Sequence, residues 1–150
     1  MNPTHLHLLI THLPIYGSIL GTIVLVIGLV TDSRETKLAA YILLLISSIA
    51  GFIAYSTGEP AEDTVEKIAG ISKNSIEDHE EFASVSLVFL VVMAIISFIG
   101  LFVGRMSQKF RKSVSILLLI VSLATIFIVS WTGYLGGKIR HTEVGKDQRL

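Results

Sequence analysis

The 150-residue chain contains no cysteine. That excludes disulfides, thiolate-held iron–sulfur or zinc centres, and covalent c-type haem attachment. Any metal must be held by His, Asp, Glu, Met, Tyr or backbone oxygen. There is no excess of either charge: 12 basic residues face 12 acidic ones. A basic surface for nucleic acid is therefore missing, and no nucleic-acid partner is expected. Charge of any kind is sparse, at 16% of residues, while 51% are hydrophobic and the mean hydropathy is +0.70. An ordinary soluble domain carries roughly 25% charged residues.

The most informative absence is local. Leu13–Val30, Leu38–Tyr55, Phe82–Val103 and Val114–Leu135 contain no Asp, Glu, Lys or Arg. Each is close to the about 20 residues that a helix needs to cross the hydrocarbon core. The pattern predicts an all-α fold, a four-helix transmembrane bundle forming a single domain over residues 1–150. A cleaved signal peptide fits the N-terminus poorly, because Met1–Leu6 has no Lys or Arg. Proton pumps and ion-coupled transporters usually place ionisable groups near the midplane. With none here, chemistry is expected at one face of the membrane.

Orientation follows from the short loops. Thr31–Lys37 carries Arg34 and Lys37, and Gly104–Ser113 carries Arg105, Lys109, Arg111 and Lys112. Such tight basic loops are expected in the cytoplasm. The N-terminus, Ser56–Glu81 and the tail from Lys138 then lie on the extracytoplasmic side with ten of the twelve acids, the basic residues of the tail weakening the asymmetry. The expected location is a bacterial inner (cytoplasmic) membrane, crossed four times.

Local signals refine this plan. Asn2-Pro3 resembles a helix start, and Pro14 is expected either to bend the first helix just below His12 or to be an ordinary tolerated proline, common in membrane helices. Glu59-Pro60 opens a short acidic helix over Ala61–Ala69. Gly70–Asn74 reads as a turn, and Ser75-Ile-Glu-Asp78 as a capping box that starts the third helix. Trp131, Tyr134 and Tyr55 are placed as an outer aromatic belt. Gly17/Gly21, Gly100/Gly104 and Gly133/Gly137 are GxxxG pairs. They mark either close helix packing or room for a flat porphyrin.

All five histidines, His5, His7, His12, His79 and His141, fall at the extracytoplasmic face. At 100° per residue, His5 and His12 lie within about 20° of each other, while His7 is about 140° from His12. His12 is the deepest, and a polar ring in an apolar stretch needs a partner. His79, three residues before the third apolar run, shares its expected depth. His12 with His79 is thus a candidate axial pair for a b-type haem. His7 with His141, which extends the Gly133/Gly137 stripe, is a conditional second pair. The alternatives are solvated interfacial rings at His5 and His141, and a His79 that is simply salt-bridged by Glu77, Asp78, Glu80 and Glu81. The acids of Glu59–Glu81 lack the alternation of a calcium loop and read as a solvated cap.

Three stretches carry a resemblance: His7-Leu-Leu-Ile-Thr-His12-Leu-Pro14, Thr57-Gly-Glu-Pro-Ala-Glu62 with His79-Glu-Glu81, and Gly133-Tyr-Leu-Gly-Gly137 leading to Arg140-His141. Together they resemble a bacterial family of small four-helix membrane proteins of unknown function, some of them fused or linked to Rieske iron–sulfur domains. The resemblance implies a redox setting and a cytochrome-b-like, haem-binding role. It touches His7, His12, His79, Gly136, Gly137 and His141. The family's terminal Arg-His is commonly followed by Gly; here Thr142-Glu143 intervenes, which puts the geometry at His141 in doubt.

The leading expectation is electron transfer through one or two non-covalent b haems, in a non-catalytic subunit of a respiratory or redox complex. His12, His79, His7 and His141 would ligate the haem iron. Membrane lipid, other redox or membrane subunits, a quinone or a Rieske-type protein are the expected partners. The alternatives are a copper or zinc protein using His12, His79 and nearby carboxylates, and a cofactor-free structural subunit. The orientation has a direct test. Alkaline phosphatase fused after Leu150 or within Ser56–Glu81 should be active, and fusions within Thr31–Lys37 or Gly104–Ser113 inactive. The inverse pattern refutes the assigned sidedness.

Overall fold

A computed structural model describes residues 10–58 and 73–140. Among these residues are four long helices: α1 His12–Val30, α2 Arg34–Ser56, α3 Lys73–Phe102 and α4 Gln108–Arg140. A short 3₁₀ turn, Val103–Arg105, follows α3. Each long helix contains a span long and apolar enough to cross a membrane. The four uncharged runs of the sequence lie inside these four helices, except that Val103 falls in the 3₁₀ turn.

α1 packs chiefly on α2, α2 on α3, α3 on α4, and α4 returns to α1, so the helices form a closed ring. The registers are antiparallel. Gly17 meets Ser47, Gly21 meets Leu44 and Gly28 meets Lys37, while Gly51 and Gly100 meet Leu90 and Tyr41 across the α2–α3 seam. Buried Leu25, Leu44, Met93 and Leu118 fill the centre. Large apolar side chains such as Leu20, Val30, Ile46, Phe52, Phe98, Phe102, Ile120 and Phe127 point outward. In water such a surface is an association hazard; in a bilayer it is the surface that faces the solvent.

The tight α1–α2 turn is built from a few polar groups. Thr31 ends α1, its N–H and hydroxyl both bonding to the Ile27 carbonyl. Asp32 then adopts a left-handed backbone, φ 49°, a region that short polar residues tolerate best among non-glycines. Ser33 caps α2, its Oγ accepting from the Thr36 N–H at 3.2 Å. Lys37 Nζ bonds Asp32 Oδ1 at 2.5 Å. That hydrogen bond, and then the Lys37 charge, hold the Asp32 carboxyl below its ordinary range.

Two local expectations are revised. The helix is interrupted at Thr11, which is a turn residue between helical Ile10 and the start of α1 at His12. The discontinuity expected below His12 therefore lies just before it. Pro14 has no N–H to give to the Ile10 carbonyl, and within α1 it occupies the first turn, where that missing donor is tolerated. The second revision concerns α3. Lys73 and Asn74 are already helical, so Ser75 does not start the helix. Neither residue is a helix breaker, and buried Ile76 anchors this first turn on the bundle. The expected acidic helix Ala61–Ala69 and the helix start at Asn2-Pro3 lie outside the described residues.

The Gly17/Gly21 pair is a packing device. A Cβ on Gly21 would lie 2.7 Å from Leu44 Cδ2, and one on Gly17 2.9 Å from Ser47 Cβ. In contrast, no atom lies within 4 Å of a Cβ on Gly137. Gly21→Leu should therefore destabilise the bundle by about 1–3 kcal/mol through overpacking. Gly137→Ala should stay within about 0.5 kcal/mol of the parent. Denaturant unfolding in detergent micelles measures both; equal stabilities would refute the close α1–α2 contact.

Candidate functional site

The buried stripe of α3 runs through Ile76, Ser86, Leu90, Met93, Ser97 and Gly100 and continues to Val103 in the 3₁₀ turn. His79 extends that stripe by one turn and is half-buried, whereas Glu77, Asp78, Glu80 and Glu81 are exposed. On a helix, residues one or two apart do not face each other. The flanking acids thus mark the wet side of α3, and His79 marks the side that packs on α4.

Two groups on α4 seat the imidazole. His79 Nδ1 lies 3.1 Å from the Thr132 carbonyl oxygen. A carbonyl only accepts, so Nδ1 carries the proton, and in the neutral ring Nε2 carries the lone pair. Below the ring is Gly136, where a Cβ would come within 3.1 Å of His79 Cε1. Thr132 is itself fixed. Its hydroxyl donates to the Ile128 carbonyl at 3.0 Å and lies 2.8 Å from Ser86 Oγ, so Ser86 supplies the proton of that second bond. One α4 residue therefore ties two turns of α3. Thr132, Ser86 and Gly136 were not read as a seat for His79 in the sequence. The Gly-Gly motif is the signal that could have found it, because Gly136 rather than Gly137 takes the ring.

His12 is placed differently. It is exposed at the start of α1, its ring centroid 6.3 Å from that of Tyr16, also exposed. The buried face of α1 is formed by Pro14, Ser18, Gly21, Thr22, Leu25 and Gly28, and His12 is not on it. Ile15 meets Gly133, and His79 meets Gly136. α1 and α3 thus contact the same turn of α4, and both histidines lie at one level. They are presented on different faces, His79 inward and His12 outward. His5, His7 and His141 lie outside the described residues. Among the described residues no group of three or more His, Cys, Asp or Glu is gathered as a metal site.

Aromatic residues surround this end. Phe82 and Trp131 are 6.3 Å apart, Trp131 and Tyr134 5.5 Å, and Lys138 Nζ lies 4.7 Å from the Tyr134 ring centroid. Tyr55 is exposed at the same end and reaches Ser84 at 3.3 Å. Amphipathic rings with a lysine beside them are what a membrane–water boundary selects.

Long apolar helices, lipid-facing side chains and an interfacial aromatic belt together define a multi-pass, all-α membrane protein built as a four-helix bundle. The chain belongs to the family described as Predicted membrane protein (DUF2231), whose profile matches residues 3–146. No curated protein and no solved structure matches it.

The seat of His79 has a spectroscopic consequence. In ¹⁵N NMR of the detergent-solubilised protein, His79 should show a protonated Nδ1 and an unprotonated Nε2 at pH values where the ring is neutral. Gly136→Val should displace the ring and perturb that signature. A ring with the proton on Nε2 would show that the Thr132 bond does not form.

Proposed function

We propose that this protein is a membrane-bound electron-transfer protein or subunit that holds b-type haem at the His79 end of the bundle. The observation that carries the reading is the bond from His79 Nδ1 to the Thr132 carbonyl. Histidines that bind metals generally give their second ring N–H to a carbonyl or carboxylate. This arrangement fixes the ring, selects the Nε2 ligand tautomer and raises its basicity. Gly136 adds a recess in which a larger side chain would displace the imidazole.

His79 is the ligand that geometry favours. His12 shares its level and, though on the outer face of α1, is the first candidate for a second residue that would hold the iron. His7 and His141 are the further candidates, for the same haem or for a second one. When bound, haem would supply one-electron chemistry, and the chain would supply imidazole ligands and an apolar surround. A haem asks for only one or two imidazoles. A quinone head group or a Rieske-type protein at the same face would suit a site confined to one end.

The same His79–Thr132 bond also favours a second reading, in which His79 simply locks α3 to α4 in a structural subunit. Protein purified from haem-replete cells should show a Soret band, and an α-band in the reduced-minus-oxidised spectrum. His79→Ala should abolish or shift the low-spin signal, and His12→Ala should do so if His12 is the second ligand. A wild-type protein with no haem spectrum, but destabilised by His79→Ala, would establish the structural reading instead.

A further inference from the structure

The opposite end of the bundle holds a different assembly. A cavity of about 320 Å³ opens between the helix ends there. Its polar lining comprises Arg34, Lys37, Arg111, Lys112, Gln108 and Asp32, and its floor is apolar, including Leu29, Leu38 and Val103. Four cations thus share one concavity with one carboxylate. Asp32 is bonded by Lys37 at 2.5 Å and also feels Lys112 and Arg111, so a single carboxylate is shared among the cations of the cavity lining.

The recess is built rather than incidental. Gly104 lies beneath the Arg34 guanidinium, and a Cβ there would come within 2.6 Å of Arg34 Nη2. Gly100, one turn earlier, takes the face of Tyr41 in the same way, with Tyr41 ring carbons 2.8 Å from a Cβ position. Arg111 is oriented by donating Nη1 to the Met106 carbonyl at 2.6 Å. The second GxxxG pair therefore accommodates a cation as well as a helix contact. A rule that merely counts Lys and Arg in cytoplasmic loops is satisfied by solvated side chains on the surface. It does not require a glycine-floored concavity that gathers like charges. Within low-dielectric walls their mutual repulsion is larger than in water, and so is their attraction for an anion.

From this we propose that the cavity binds the phosphodiester of an anionic phospholipid head group. Arg34 and Arg111 provide the planar donor forks that suit phosphate oxygens, and Lys112 provides a further positive charge. The cavity sits where the apolar spans end, at the depth of the lipid head groups. Exposed Val30 and Phe102 beside it offer apolar surface for acyl chains. Basic pockets between membrane helices are a general means of holding such lipids.

Native mass spectrometry of the delipidated full-length protein tests this with phosphatidylglycerol, phosphatidylcholine and inorganic phosphate as separate probes. Wild type should retain phosphatidylglycerol over phosphatidylcholine by about tenfold, since each basic residue near an anionic head group contributes on the order of a several-fold preference. The Arg34→Gln/Arg111→Gln variant should fall to parity. The Arg34→Lys/Arg111→Lys variant, which keeps charge and loses the forks, should be intermediate and guards against misfolding of the first. Equal retention of the two lipids by wild type overturns the proposal. So does a preference that survives in the Gln variant. Arginine-dependent binding of inorganic phosphate without a preference between the lipids overturns the lipid assignment and makes the ligand a soluble phosphate.

Discussion

The bundle depends on one constraint: a polar hydrogen in a dry interior has to find an oxygen within the protein. α1–α2, α2–α4 and α3–α4 meet this constraint in the same way. Ser47 gives its proton to the Pro14 carbonyl at 3.0 Å, so Ser18 is the donor in the Ser18–Ser47 contact. Ser115 gives its proton to the Arg111 carbonyl, so the Tyr41 hydroxyl donates to Ser115 at 2.7 Å. Thr132 gives its proton to the Ile128 carbonyl, so Ser86 donates to Thr132. In every case an acceptor hydroxyl is oriented by a backbone carbonyl, and a second helix is bound to it. Interhelical bonds of this kind contribute about 0.6 kcal/mol each. Their larger effect is to fix the register between helices whose apolar surfaces would otherwise slide.

That register determines where the functional groups fall. Pairing Ser86 with Thr132 brings His79 beside the next α4 turn, where the Thr132 carbonyl and Gly136 receive it. Pairing Tyr41 with Ser115 lays the tyrosine ring on Gly100 and opens the space in which Arg34 lies over Gly104. Both sites thus follow from serine and threonine positions that carry no charge and bind no ligand themselves. Ser97 is the exception among the described residues: its Oγ is buried without a partner, and nothing in the structure explains it.

The fold was legible because crossing a bilayer demands long uncharged runs, and those runs mark the existence and order of the four helices, although α3 begins earlier, at Lys73, and α4 extends past its run at both ends. The shared end of His12 and His79 was legible too, since four crossings fix which segments meet. The rotation of each helix was not. His12 sits in an apolar sequence, and that alone implied burial. Where every face of a helix is apolar, however, sequence does not distinguish core from lipid, and the ring lies on the outer face with Tyr16. His79 sits among acids, which left a salt-bridged ring as the alternative to a ligand, and it falls on the stripe that begins at buried Ile76. Glycine spacing had the same ambiguity. Gly133 and Gly137 match the GxxxG pattern, but contact is made by Gly133 and Gly136, one toward Ile15 and the other toward His79.

The two ends are also isolated from each other. No Asp, Glu, Lys, Arg or His lies within the uncharged runs that separate them past His12 and His79, and the buried hydroxyls at mid-depth do not link into a chain. Thr22, Ser48, Ser122 and Thr125 each donate to a carbonyl of their own helix. A proton relay needs hydroxyls that pass hydrogen bonds to one another, and hydroxyls committed to their own backbone do not. Under the two proposals above, this separation means a division of labour in which the imidazole end would carry the redox chemistry and the cationic end would hold lipid. Loss of the arginines would then alter lipid retention without altering the His79 ring, because the packed α3–α4 seam between the two ends has no titratable group through which to transmit the change.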